Sequence, residues 1–171
     1  MEEPEVWLRG PVSNIPSLLQ PVAHAILQSL EDVEKLMKEF PGDKLWERPA
    51  GVASPGFHLQ HLAGVLDRLF TYARGEGLSQ DQFEYLRHEG SAPSGVTAAE
   101  LVKNFRLQVE KNLRQLEQTD EGSLLRPIGV GRKKLPSNVL GLLFHAAEHS
   151  QRHTGQLLVT VRVVNRRAGL E

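Results

Sequence analysis

Apolar residues return every three or four positions through SLLQPVAHAILQSLEDVEKLMKEF, at Leu19, Val22, Ile26, Leu30, Val33, Leu36 and Met37. That is the period of a helix with one buried stripe. Pro21 sits most easily in the first turn of such a helix, and Pro41-Gly42 ends it. In the next loop Ser54 precedes Pro55, a capping hydroxyl followed by proline at the first helical position, so a second helix starts there and runs to about Arg74, where Gly75 and Gly77 stop it. Ser79 with Gln82, and Thr97 with Glu100, have the spacing of capping boxes. The first opens a short connecting helix through SQDQFEYLRHEG. The second opens a third long helix, with its stripe at Leu101, Phe105, Val109, Leu113 and Leu116. After the glycine-flanked RPIGVGRKKLP loop, which has room for a short extended turn, a fourth long helix begins near Pro136 or Asn138 and continues to about Val164. Arg162, Arg166 and Arg167 lie near its negative end.

Four long amphipathic segments and no set of alternating strands predict an all-α chain, an up-down four-helix bundle with a short connecting helix. The 171 residues suit one domain, with residues 1–14 as a proline-marked leader and about 15–165 as the bundle. A net charge of −1 provides no field to gather nucleic acid or anionic lipid, so neither is expected as a partner. The acidic start MEEPEVWLRGP lacks the pattern of a signal peptide and no segment approaches a membrane span, which points to a cytoplasmic protein. There is no cysteine, so any metal must be held by nitrogen and oxygen.

The histidines are where chemistry concentrates. In LLFHAAEHSQRHTGQLL, His145, His149 and His153 follow one another at intervals of four. Residues four apart on a helix lie about 40° from one another and one turn apart, so a neighbouring pair can share an ion. His145 and His153 are separated by about 12 Å along the axis and cannot. Projected at the helical pitch, Leu142, Leu143, Ala146, Leu157 and Val161 mark the core side; His153 lies nearest to it, His149 at its margin and His145 farthest out. The pair is therefore His149 with His153. In FHLQHLAGVLDRLF of the second helix, His58 and His61 share a broad face with Val65, Leu69 and Tyr72, and either can reach across a bundle to that pair. Gln156, nearly a turn past His153, is a candidate outer partner for its ring. Three neutral imidazoles leave an ion with its full charge and open positions, and they accept zinc, nickel, copper or iron.

At HLAGVLDRL and EHSQRHTGQL the chain resembles the DinB/YfiT-like superfamily of bacterial metal-binding four-helix bundles, which carry one histidine in the second helix and an HxxxH followed by a Gly-Gln step in the last. The resemblance covers the chain from about Ile15 to the end of the fourth helix. It implies a three-histidine divalent metal centre at His61, His149 and His153, with zinc or nickel as the ion, often in a homodimer. It also implies a metal-dependent enzyme that transfers a low-molecular-weight thiol or hydrolyses a small-molecule substrate. His58 and His145 depart from the minimal pattern and leave open which histidine of the second helix is the ligand. No motif places an acid or a base, although Arg68, Tyr72, Glu148 and Arg152 are the polar residues expected near such a cleft. The alternative is a bundle in which the ion only ties two helices together, closed by a fourth ligand such as His58, and the function is protein association or a stress role.

Overall fold

The computed structural model describes residues 3–167; the first two residues of the acidic leader lie outside it. Among these residues five α-helices form: α1 (Gln20–Met37), α2 (Pro55–Arg74), α3 (Gln80–His88), α4 (Ala98–Glu117) and α5 (Val139–Arg167). Between α4 and α5 a small antiparallel hairpin pairs β1 (Pro127–Val130) with β2 (Leu135–Asn138), so Pro136 ends up in a strand and α5 starts just after Asn138. Local chemistry sets the helix ends. Ser54 accepts a hydrogen bond from the Phe57 amide, Gly75 closes α2 in the left-handed region (φ 87°), and both predicted capping boxes form.

The fold is the expected all-α four-helix bundle with a short connecting helix. Each of α1 and α2 packs against both α4 and α5. Their cross-links reveal the helix directions. Lys111 meets Asp67, Asn112 meets the Leu66 carbonyl and Gln115 meets that of Phe70, so α2 and α4 run parallel. Leu18 meets Glu121 while Glu34 meets Arg106, so α1 opposes α4. His61 meets His149 while His58 meets His153, so α5 opposes α2. The order is therefore down, up, up, down, a refinement of simple alternation.

Two parallel helices joined in sequence require the chain to travel back between them, and α3 makes that return. It descends along α2, with Gln82 at Asp67 and Thr71, Tyr85 at the Gln60 carbonyl, and Gly90 at the Gln60 side chain. The core is aliphatic with Phe70 and Phe105 fully enclosed. The leader is docked on it: Val6 is buried and its amide donates to Gln28 of α1. Among the described residues no helix is long and apolar enough to cross a membrane.

Candidate metal centre

Because α2 and α5 are antiparallel, the two histidine pairs face each other in reverse order. Nε2 of His61 and Nε2 of His149 lie 2.9 Å apart, and Nδ1 of His58 and Nδ1 of His153 lie 3.1 Å apart. The ring of His153 centres 4.3 Å from that of His61 and 4.6 Å from that of His149. One ligand atom from each of His61, His149 and His153 falls within 4.8 Å of the others. Phe57, one turn before His61, stacks on its ring at 5.3 Å with an interplanar angle of 10°.

These residues fit a divalent ion. Two imidazole nitrogens facing each other at 2.9 Å repel unless a proton or a cation lies between them. Nitrogen ligands at about 2.0–2.1 Å from one ion stand about 3.0–3.4 Å apart, close to the observed separation. Burial, reinforced by the neighbouring His61, pushes the His149 imidazole down to about 4 and that of His153 down to about 3, so both are neutral at pH 7, the form that binds metal. Nδ1 of His149 is buried with no hydrogen-bond partner among the described residues. Three neutral nitrogens suit zinc, nickel, copper or iron and do not choose among them.

The other histidines take outer places. His58 is buried, its imidazole is pushed down to about 4 chiefly by burial, and it meets the Nδ1 of His153. It is not one of the three histidines whose possible ligand atoms converge. His58, not Gln156, is the partner of His153; Gln156 is exposed on α5. His145 lies at the rim, with its Nδ1 2.6 Å from Glu148, whose carboxylate also accepts two hydrogen bonds from Arg152. His145, Glu148 and His149 form a second, more exposed grouping of possible ligands along one helix. Tyr72 packs against the hydrophobic core, away from the cluster.

One residue that spacing did not reveal is Glu89, just past the end of α3. Its side chain is 4 % exposed; one carboxylate oxygen lies 2.7 Å from Nδ1 of His61 and the other accepts from Arg68 at 2.5 Å. Only the course of α3 down α2 brings it there. Beside the cluster, a cavity of about 550 Å³ runs along α5, walled by His58, Arg152, Gln156, Val159 and Thr160.

A model of the DinB superfamily matches residues 25–157, a span that includes all three clustered histidines. No curated protein matches the chain. Among solved structures, the crystal structure of a Streptococcus pneumoniae protein from a structural genomics programme superposes with a TM-score of 0.63 over 88 % of this chain and 91 % of that one, at 12 % identity. At that identity the likeness concerns the fold.

Proposed function

The chain belongs to the DinB superfamily, and from that membership and the imidazole cluster we propose that it is a divalent-metal enzyme with an open three-histidine centre at His61, His149 and His153. The observation that carries the proposal is the convergence of one nitrogen from each of these residues within 4.8 Å. A purely structural ion calls for a closed sphere of four protein ligands. His58 meets Nδ1 of His153 and is not one of the three converging residues, so three ligands leave room for a substrate.

A zinc or nickel ion held there supplies a Lewis acid that lowers the pKa of a water or thiol. The chain's own residues provide the surroundings. Glu89 orients His61, His58 orients His153, and Phe57 shields one face of the His61 ring. The neighbouring cavity is large enough for a small organic molecule, and Arg152 and Gln156 give its apolar wall a polar end. A low-molecular-weight thiol, or a small substrate for hydrolysis, is the proposed class, with a homodimer as the working form.

The test is elemental analysis of protein purified without chelator or a metal-affinity column, beside the double variant His149→Ala, His153→Ala. About one equivalent of zinc or nickel is expected, absent from the variant. No metal in the wild type, even after reloading, would overturn the proposal.

A further inference from the structure

We propose that Glu89, held in place by Arg68, is a positioning residue that fixes His61 as a metal ligand, which makes the crossover helix α3 and the loop after it part of the centre. The proposal rests on the three-histidine reading for its functional consequence, but its geometric basis is independent of any ion.

Three side chains form a buried chain. The guanidinium of Arg68 donates to one oxygen of Glu89 and the other oxygen lies 2.7 Å from Nδ1 of His61; these side chains are 9 %, 4 % and 16 % exposed, respectively. An imidazole that donates from Nδ1 to a carboxylate carries its proton there and presents a bare Nε2. Nε2 of His61 is the atom that faces Nε2 of His149. A carboxylate behind a histidine ligand also raises the basicity of the ring and fixes its orientation. If Arg68 and Glu89 served only to tie α3 to α2, one oxygen of Glu89 would suffice.

The surrounding backbone is shaped for this contact. A Cβ placed on Gly64 would fall on Glu89, 2.6 Å from the ring of Tyr85 and 2.7 Å from the Arg68 guanidinium. The side chain of Gln60 anchors the loop after α3, accepting from the Gly90 amide at 2.7 Å and donating to the Ser91 carbonyl at 3.4 Å. Glu89 is thus held from both sides against one ring nitrogen.

The experiment uses the full chain labelled with ¹⁵N and freed of metal, in which two-bond proton–nitrogen correlations report the tautomer of each imidazole; His61→Gln assigns the His61 signals. Wild-type His61 is expected to carry its proton on Nδ1. In Glu89→Gln, Arg68 claims the amide oxygen and the amide NH₂ turns to His61, so the proton moves to Nε2 and the Kd for Zn²⁺, read by chelator competition, rises roughly 10- to 100-fold. That variant also leaves Arg68 without its carboxylate. A second variant, Arg68→Met with Glu89→Leu, therefore removes the charges together, and it is expected to keep the wild-type melting temperature of the metal-free protein while losing Zn²⁺ affinity to a similar degree. An Nε2 proton on wild-type His61, or unchanged Zn²⁺ affinity in the double variant, would overturn the proposal. A wild type with the Nδ1 proton that takes up no Zn²⁺ overturns the metal centre, and the ligand role with it, while leaving the Glu89–His61 bond standing.

Discussion

Gly64 and Gly155 both sit inside long helices, yet what surrounds them differs completely. A methyl group at Gly64 meets Glu89, Tyr85 and Arg68, whereas one at Gly155 meets nothing within 4 Å. Gly64→Ala must push α3 away from α2, and overpacking of that kind costs about 1–3 kcal/mol. Gly155→Ala gains helix propensity at an open position and should stabilise by up to about 1 kcal/mol. Calorimetry on the two variants should therefore give melting shifts of opposite sign. Zn²⁺ affinity should fall only for Gly64→Ala, because only there is Glu89 moved off His61; equal affinities in the two would separate Glu89 from the site. Nothing in HLAG or HTGQ distinguishes these glycines. The spacing of the clustered histidines was legible because His149 and His153 share a helix face whatever the helix packs against. Glu89 and the constraint on Gly64 were not, since both depend on where a different helix comes to lie.

At the level of elements, signals confined to four or five residues translated directly into structure. Ser54 with Pro55, Ser79 with Gln82, and Thr97 with Glu100 each start the helix they announced, because a cap needs only its own neighbours. The parallel course of α2 and α4 was not readable, for it is set by how the 75–97 segment returns along α2. Asp67 is the joint of that arrangement. From α2 it accepts from Gln82 of α3 at 2.6 Å and from Lys111 of α4 at 2.8 Å. Burial pushes its carboxyl up, but the hydrogen bonds from Lys111 and Gln82 outweigh this and hold it below its ordinary value of 3.8. With the folded pKa below the unfolded one, the carboxylate's contribution is complete above about pH 4 and is lost as the pH falls through the folded value. Asp67→Asn should therefore lower stability by roughly 1 kcal/mol at neutral pH. Urea midpoints of wild type and variant should stay a constant distance apart from pH 8 to 5 and converge below pH 4. A gap that persists in acid would mean that Asp67 acts by shape and not by charge.

For the molecule as a whole, the histidines join the two helices that enclose one side of the core, α2 and the 29-residue α5. An ion bound by His61, His149 and His153 favours the folded chain, in which these residues from distant parts of the sequence stand together. Binding to the folded form alone stabilises by about 2.7 kcal/mol when free metal is a hundred times its Kd. For a chain of this size that raises the melting temperature by roughly 5–11 °C. The rise should continue as Zn²⁺ is increased, since linkage depends on the logarithm of free metal. It should vanish in His149→Ala, His153→Ala. His58→Ala tests the coordination from the other direction. A residue behind His153 changes the affinity and so displaces the melting curve along the metal axis, but the limiting slope, set by one ion per folded chain, remains. Loss of a fourth ligand would also leave the three-histidine site behind, so the slope does not separate the two cases. The visible spectrum of the Co²⁺-loaded protein does, because it changes in His58→Ala only if His58 coordinates the ion. An unchanged Co²⁺ spectrum in His58→Ala, with the melting rise lost in the double variant, would identify three ligands and a sphere that the protein leaves open.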